Sequence, residues 1–544
     1  MKLDPRLLCV AITAALAGSV AIPAAALAAV PAGSPAATRA AGLIEAHGAA
    51  FHRAGGDTFA AKDVIVDADG TEHVRFNRSW HGMPVIGGDV VVHSRNGQLR
   101  SASLTMKSNG RPDFAARLSA SDAIVEAGAA FGTGFDGKPT VRKVVYARGA
   151  LPVMAYEVVM SGIRADQTPT EMHYFIDARS GAVIDSFDDI HTAKGGNGGG
   201  KPGGGGSGAT CTTDASGTGQ TLFSGDVGIR TASCTDGTFQ MKDLSRGGGY
   251  TTDLNQRTNG SGTIFSDADN NWGNNATSDR ATVGADAHYG VAVTWDYFKN
   301  VHGRNGIAND GKGALSRVHY GRNYVNAFWS DSCFCMTFGD GGGSYYPLVN
   351  LDVAGHEMSH GVTSRSADLT YSGESGGLNE STSDIFGTMV EYYAGNGNDT
   401  PDYMIGEEIY VNNPGTQALR YMFKPSLDGD SPDCYSSGVG SLDVHYSSGI
   451  GNHFFYLLAE GATTPAGFNV SPSQLVCNGN TSAGGIGRDA AGKIWYRALT
   501  VYMTSNTNYA GARTASLNAA ADLYGSGSAQ YNGVASAWSA VGVN

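Results

Sequence analysis

The chain has 544 residues, with 37 Lys and Arg against 50 Asp and Glu, and a formal net charge of -13 at pH 7. This length is ample for several domains. The acidic balance excludes the basic surface on which nucleic-acid binding depends, so we expect no nucleic-acid partner.

Residues 1–28 are predicted to be a secretory signal peptide. Lys2 and Arg6 precede an apolar run that ends in the small-x-small sequence ALA at 26–28. A transmembrane helix is the weaker alternative, because Pro23 interrupts the run and no later stretch approaches about 20 continuous apolar residues. We therefore expect a secreted, extracellular protein without a membrane partner.

Two further segments precede the region that carries the chemistry. Residues 29–193 show strand-like alternation broken by Gly and Pro, as in 73–93 and 172–177, and contain no catalytic grouping. Residues 194–210 are rich in glycine and lack apolar anchors, which predicts a flexible linker that is easily cleaved. The first segment is interpreted as a propeptide, with an independent β-rich accessory domain as the alternative.

Residues 211–366 continue as a strand-rich region, in which a helix is predicted over 286–300, and residues 367–544 contain mainly helical patterns. Six cysteines remain after the signal, an even number that indicates disulfides in an exported chain. Proximity in sequence favours the pairs Cys211–Cys234, Cys333–Cys335 and Cys434–Cys477. The alternative for the second pair is a metal site.

A metal site is indicated by the sequence HEMSH at 356–360. His356 and His360 are one helical turn apart, so both imidazoles leave the same face of a helix and can share one metal, with Glu357 beside them. Two histidines on an ordinary surface or core helix are the alternative. That alternative is weakened by the next helical run.

The next helical run supplies the remaining polar groups of the predicted site. Glu380 and Asp384 are four residues apart and share one helix face. Glu380 can complete a His-His-Glu zinc site that leaves the fourth position for water or substrate. Asp384 suits an outer role, in which it accepts the second ring N–H of a ligand histidine. An ordinary solvated helix face could also carry this pair.

HEMSH, then Tyr371, then GGLNESTSDIFG at 376–387, resembles the thermolysin family of secreted neutral zinc metallopeptidases. A metzincin would require a third His where Ser366 stands. The resemblance implies an α+β fold with two peptidase lobes, the β-rich 211–366 and the helical 367–544, with one catalytic zinc between them. It also implies that the propeptide acts as folding aid and intramolecular inhibitor.

The resemblance assigns further roles around the zinc. Glu357 is the general base, and Tyr371 and His445 stabilise the oxyanion, with Asp443 orienting His445. Arg420 holds a substrate carbonyl. Taken alone, His445 would more often be a packed or surface residue than a catalytic one.

Substrate contacts are implied in the same way. Asn326 and Ala327 resemble the start of an edge strand that pairs with an extended peptide, although the same residues could simply end a core strand. The apolar pocket on the leaving-group side is implied to contain Val353, Leu348, Ile405 and Leu419. Such a pocket favours cleavage on the amino side of bulky hydrophobic residues.

Calcium is a second expected cofactor, with one or more ions. Asp352, Glu391, Asp402 and Glu407 match calcium ligands of the family, and hard carboxylate oxygens suit Ca²⁺. Their alternative role is solubility. We thus expect a monomeric zinc endopeptidase, made as an inactive precursor, that acts on proteins and peptides. The rival functions are a zinc amidase or esterase, and an inactive binding protein of the same fold.

Overall fold

The structure, a computed structural model, describes residues 34–112, 116–132, 134–192, 210–482 and 484–544. The predicted signal peptide and nearly all of the predicted linker lie outside these residues. Among the described helices, none has the length and apolarity needed to cross a membrane. The chain divides into two compact units. The first contains the residues up to Arg164 with Pro169–Asp189 and Thr504–Asn506, and the second contains Ala165–Thr168, Ile190–Met503 and Thr507–Asn544.

The first unit is a nine-stranded sheet with two helices. The helices are α1 (Pro35–Ala46) and α2 (Ala120–Phe131), and the strands are β1 (Asp57–Val66), β2 (Thr71–Trp80), β3 (Met83–Ile86), β4 (Val90–Arg95), β5 (Gln98–Leu104), β6 (Phe135–Tyr146), β7 (Val153–Ile163), β8 (Pro169–Asp177) and β9 (Val183–Asp188). The strand order is β5-β4-β2-β3-β6-β7-β8-β9, with β1 against β2. The runs predicted from alternation at 73–93 and 172–177 are strands, as expected.

The second unit begins with a β-rich part. Its strands are β10 (Ile190–Thr192), β11 (Cys211–Gln220), β12 (Asp226–Cys234), β13 (Phe239–Gln240), β14 (Lys242–Asp243), β15 (Gly249–Asp253), β16 (Thr263–Ile264), β17 (Ser266–Asp267), β18 (Asn271–Gly273), β19 (Leu315–Tyr320), β20 (Ala327–Ser330), β21 (Cys335–Gly339), β22 (Met404–Ile405) and β23 (Arg420–Tyr421). One sheet has the order β10-β20-β21-β19-β15-β14, with β16 against β15. The other has the order β17-β13-β12-β11-β18.

Helices make up most of the rest of this unit. They are α3 (Arg280–His302), α4 (Leu351–Ser364), α5 (Gly373–Ala394), α6 (Val444–Ser447), α7 (Gly449–Glu460), α8 (Arg488–Arg497), α9 (Tyr509–Tyr524) and α10 (Ala529–Ala540). The helix predicted over 286–300 is longer than expected. The Asp279 side chain caps its start and Gly303, at φ 71°, ends it. The α+β class, with a β-rich part followed by a helical part, is confirmed.

The helices α4 and α5 approach closely at Gly387, where an added Cβ would lie 2.5 Å from the Asp352 carbonyl oxygen.

Three disulfides are present, namely Cys211–Cys234, Cys333–Cys335 and Cys434–Cys477. The pairing predicted from sequence proximity is therefore confirmed, and the alternative of a metal site at the second pair is wrong.

Candidate metal centre and active site

The helices α4 and α5 bring His356, His360 and Glu380 together in the buried interior. The two Nε2 atoms are 2.9 Å apart, and the Glu380 oxygens lie 3.4 Å from His360 Nε2 and 3.7 Å from His356 Nε2. Ligand atoms about 2.0–2.1 Å from a tetrahedral zinc are about 3.3 Å from one another. The three side chains therefore fit a zinc ion in spacing and in chemical type.

The other ring nitrogens of the two histidines are held by acceptors. His356 Nδ1 lies 2.8 Å from Asp384 Oδ1, and His360 Nδ1 lies 2.8 Å from Asn379 Oδ1. The Asn379 amide nitrogen donates to the Leu369 carbonyl, which fixes its oxygen toward the ring. Each Nδ1 must therefore donate, and each Nε2 presents a lone pair. Two lone pairs at this separation call for a shared cation.

A buried ion pair fixes Asp384 in this arrangement. Arg420 donates from Nε at 2.7 Å and Nη2 at 2.6 Å, and Asn452 donates at 2.8 Å. Burial by itself would raise the pKa of Asp384, but the guanidinium and His356 outweigh burial and hold that pKa far below its usual value. The carboxylate is therefore ionised and acts only as an acceptor. The predicted outer role of Asp384 agrees with this geometry.

Glu357 lies on α4 between the two histidines and is completely buried. Neither of its carboxylate oxygens is hydrogen-bonded at normal geometry to the residues that the structure describes. The Trp329 backbone is nonetheless close enough to lower its pKa. Burial, and then the charge of Glu380, raise that pKa well above its usual value. A cation held by the neighbouring ligands would oppose this rise and favour the carboxylate.

A second group of donors faces Glu380. The Tyr371 hydroxyl donates to Glu380 Oε1 and lies 3.3 Å from His445 Nε2. His445 Nδ1 is 2.7 Å from Asp443 Oδ1, while its Nε2 contacts the carbonyl oxygen of Thr192. Because both ring nitrogens face acceptors, His445 carries two protons. Burial would lower the pKa of His445, but the Glu380 and Asp443 carboxylates raise it above its ordinary value.

The strand β20 runs beside this group. Asn326 precedes it and Ala327 begins it, and both are buried. Its outer edge pairs antiparallel with β10, with Thr192 opposite Phe328, His191 opposite Trp329 and Ile190 opposite Ser330. Sequence reasoning assigned 190–192 to the propeptide without predicting this pairing.

The residues expected to line the apolar pocket are spread over the interior. Leu348, Val353 and the partly buried Leu419 belong to the core around β19–β21. Ile405 belongs to the core of the helical part. Arg420, expected to meet a substrate carbonyl, is engaged with Asp384.

A second cluster contains four carboxylates whose oxygens lie within 4.8 Å of one another. Its members are Glu391, Asp399, Glu407 and Glu408. Burial, followed by mutual repulsion, raises the pKa of Glu391 and Glu407 well above the usual value. Most of the cluster's oxygens are buried without a hydrogen-bond donor among the described residues, so the cluster fits a hard cation.

Sequence reasoning found two members of this cluster, Glu391 and Glu407, and missed Asp399 and Glu408. The other two expected calcium ligands lie nearby and already accept backbone hydrogen bonds. Asp352 accepts from Gly406 and Asp402 accepts from Met404. Their charges contribute to the raised pKa of Glu391.

Family models of known proteins match three ranges of this chain. Residues 216–364 match the model of the thermolysin metallopeptidase catalytic domain, 367–543 match its alpha-helical domain, and 57–105 match the fungalysin/thermolysin propeptide motif.

Three relatives cover most of this chain. Thermolysin of Alicyclobacillus acidocaldarius is 39% identical over 86% of this chain and 83% of its own length. Bacillolysin of Bacillus cereus is 37% identical over 90% of this chain and 85% of its own length. The transglutaminase-activating metalloprotease of Streptomyces mobaraensis is 48% identical over 90% of this chain, but the match spans 61% of that protein's length. The chain belongs to the thermolysin family of zinc metallopeptidases and carries the propeptide of that family.

Proposed function

We propose that the protein is a secreted endopeptidase that cuts on the amino side of bulky hydrophobic residues and is made as an inactive precursor. The observation that carries this proposal is the convergence of His356, His360 and Glu380, at zinc-ligand spacing, with donors on Tyr371 and His445. The buried Glu357 lies between the two histidines. Retention of all these groups argues against an inactive binding protein.

An extended peptide is favoured over a small amide or ester as the substrate. The outer edge of β20 accepts a strand antiparallel, as Ile190–Thr192 demonstrates. A substrate in the same register would continue opposite Ala327 and Asn326, the two residues assigned to backbone recognition. Main-chain pairing of this kind recognises any extended sequence. A small ester has no extended main chain that could pair with this strand edge.

A few side chains carry out the proposed hydrolysis of the peptide bond. Zinc, when bound by its three ligands, polarises the scissile carbonyl and lowers the pKa of water. Glu357 takes the proton of the attacking water and delivers it to the leaving amine. His445, oriented by Asp443, and Tyr371 donate to the carbonyl oxygen as negative charge develops there. Arg420, held by Asp384, is positioned to receive a further substrate carbonyl.

The proposed preference for hydrophobic residues rests on the apolar side chains assigned to the pocket. Leu348, Val353 and Ile405 are fully buried and carry no charge that could pair with an ionic substrate side chain. Burying a Leu or Phe side chain contributes about 1.5–3 kcal/mol, whereas an unpaired charge pays for desolvation. Discrimination among the hydrophobic residues should be weak, because one methylene contributes only about 1–3 kcal/mol.

Calcium is proposed as a structural cofactor of the acidic cluster, with Glu391, Asp399, Glu407 and Glu408 as its nearest ligands. Asp352 and Asp402 would support the same cluster. We also propose the division into signal peptide 1–28, propeptide 29–193, linker 194–210 and peptidase lobes 211–366 and 367–544. The peptidase is proposed to act as a monomer.

Digestion of an unfolded protein by the mature enzyme, with and without a zinc chelator, tests the proposal. We expect cuts before Leu, Ile, Val and Phe that disappear with the chelator and return with zinc. Cuts that cluster before charged residues would contradict the pocket assignment. Turnover that survives complete zinc removal would contradict the mechanism.

A further inference from the structure

We propose that the β20–β21 turn, residues 331–334, positions the substrate-binding edge of β20 against α4, the helix that carries the two ligand histidines. Arg365 and the Cys333–Cys335 disulfide are assigned as positioning residues that act through this turn. The inference rests on the proposed peptidase function and deepens it. Its consequence is that a peptide reacts faster with more residues on the acyl side of the cut only while the turn is held.

Trp329 is the side chain through which β20 packs against α4. It is fully buried, and a Cβ added to Gly361 would lie 2.8 Å from a carbon of its ring. Gly361 directly follows the ligand His360 in α4. A displacement of Trp329 would therefore change the distance between the strand edge and the ligand histidines.

The β20–β21 turn holds Trp329 through two of its residues. Trp329 Nε1 donates to Asp331 Oδ1 at 3.1 Å, and the Phe334 ring packs edge-on against Trp329 with centroids 5.3 Å apart. Phe334 has a φ of 51°, which residues other than glycine rarely adopt. The disulfide between its neighbours Cys333 and Cys335 closes a short covalent ring around Phe334 and restricts the other conformations open to it.

Arg365 joins this turn to α4, of which it is the C-cap residue. Its Nη1 lies 2.7 Å from Asp331 Oδ1, and its guanidinium lies over the Phe334 ring, 5.5 Å from the centroid. The two charged side chains are only 16% and 19% exposed, so solvent screens their attraction less than that of a fully exposed pair. The turn is therefore tied to the same helix as His356 and His360.

The pairing of β10 with β20 indicates which part of a peptide would meet the turn. Thr192 lies opposite Phe328, and Ile190 lies opposite Ser330, the last residue before the turn. The Thr192 carbonyl contacts the oxyanion donor His445, so the residues before it lie where the acyl side of a substrate would lie. Longer acyl sides thus extend toward the turn. Binding energy from such distant residues serves to orient the reacting bond, and its loss lowers kcat.

The test compares two peptide substrates in the mature wild-type enzyme and in Arg365→Gln. The long substrate has several residues before the cut and reaches the turn, whereas the short one has a single blocked residue there. We expect kcat/KM of the long substrate to fall about 10- to 100-fold in Arg365→Gln, mainly through kcat, because the scissile bond is displaced from the reacting groups. The short substrate pairs with little of β20 and should lose less than about 3-fold.

Arg497→Gln is the matched control. Arg497 is 14% exposed and forms a 2.6 Å ion pair with Asp522, so its environment is similar to that of Arg365 but lies away from the turn. The control should leave the ratio of the two kcat/KM values unchanged. An equal change of this ratio in both variants would overturn the role assigned to Arg365.

Two further variants separate the contacts of the turn. Arg365→Lys keeps the positive charge but lacks the planar group over Phe334, and it should retain more of the long-substrate rate than Arg365→Gln. A rate no higher than in Arg365→Gln would overturn the role of the ion pair. Replacing Cys333 and Cys335 together by Ser should lower the long-substrate rate about 3- to 10-fold, with the other two disulfides intact. Phe334→Ala, which keeps the disulfide, takes the place of this variant if it does not fold.

The two substrates also distinguish this inference from the function on which it rests. If the zinc-loaded wild-type enzyme hydrolyses neither, the proposed function fails. If it hydrolyses both, but Arg365→Gln lowers the two rates by the same factor or leaves both unchanged, only the positioning role is overturned. A selective loss of the long-substrate rate is the result that the inference predicts.

Discussion

The metal centre and the acidic cluster both bury several carboxylates on or beside α5. The negative charges of these carboxylates have different partners in the two regions. In the metal centre, Arg420 neutralises Asp384 and holds the pKa of that carboxyl far below its usual value. In the cluster, Glu391 and Glu407 face other carboxylates, and their pKa values are raised. Asp384 is thus neutralised by a cation of the chain itself, whereas the cation that we propose for the cluster would come from solution.

This difference predicts which property fails when each region is disturbed. Changes in the metal centre should abolish chemistry, and changes in the cluster should shorten the lifetime of the folded enzyme. Four experiments, from the largest expected effect to the smallest, address this contrast.

Glu357→Gln should reduce peptide hydrolysis by about 100- to 10,000-fold, because the general base is removed while all three zinc ligands remain. The precursor should also stay joined to its propeptide. Steady-state hydrolysis of a short peptide and a gel of the purified precursor provide the readouts. Normal turnover, or normal maturation with no other protease present, would show that Glu357 is not the base.

Asp384→Asn should affect both binding of zinc and folding. The Arg420 charge would lose its partner in a buried site, at a cost of about 3–5 kcal/mol, and zinc affinity should fall about 10- to 100-fold. Zinc retention during dialysis and the unfolding midpoint measure the two effects.

The matched control for this change is Asp522→Asn. It breaks a more exposed ion pair with Arg497, which should contribute no more than about 1 kcal/mol. Equal effects of the two substitutions would contradict the distinct role assigned to Asp384.

Removal of calcium should shorten the half-life against self-digestion before it changes the rate of hydrolysis. A cation that binds only the folded state at about 100 times its Kd stabilises that state by about 2.7 kcal/mol. Glu407→Gln should reproduce part of this loss at saturating calcium. A half-life that does not change with calcium at fixed zinc would reject the cluster as a cation site.

His302, a titratable group outside both regions, should have a smaller effect, which is on the pH dependence of the free energy of unfolding. Burial lowers the pKa of His302 from 6.5 to about 3. Between these two pH values, His302 is therefore protonated in the unfolded chain and neutral in the folded chain. Its contribution is therefore complete above pH 6.5 and is lost as the pH falls toward 3, by up to about 1.4 kcal/mol per pH unit. Urea unfolding at pH 7 and pH 5 should show a smaller pH effect in His302→Gln, within a Glu357→Gln background. Identical pH effects would exclude His302 as the cause.

Sequence patterns revealed the metal centre better than the cluster for a physical reason. Two histidines one turn apart are fixed to one helix face by the helix itself, and the position of Glu380 follows from the next helix. Asp399 and Glu408 lie outside regular helices and strands, where no periodicity predicts which side chains meet. Asn379 was adjacent to a predicted ligand, yet only the packing of α5 on α4 shows that it reaches His360.

The elements of the fold were likewise predictable where the sequence has a periodic pattern. Alternation predicted the strands within 73–93 and 172–177. Asp279 and Gly303 could have extended the predicted helix to its true ends. The pairing of Ile190–Thr192 with β20 could not be predicted, because three residues carry no pattern and their partners are more than a hundred residues away.

Zinc content is the measurement that tests the central claim most directly. Purified Glu357→Gln and Glu380→Gln precursors should be compared after dialysis against a dilute zinc buffer. We expect one tightly held zinc per chain in the first and a large loss of zinc in the second, with neither hydrolysing peptides. Retention of stoichiometric zinc by Glu380→Gln, or loss of zinc by Glu357→Gln, would contradict the assignment of ligands and base.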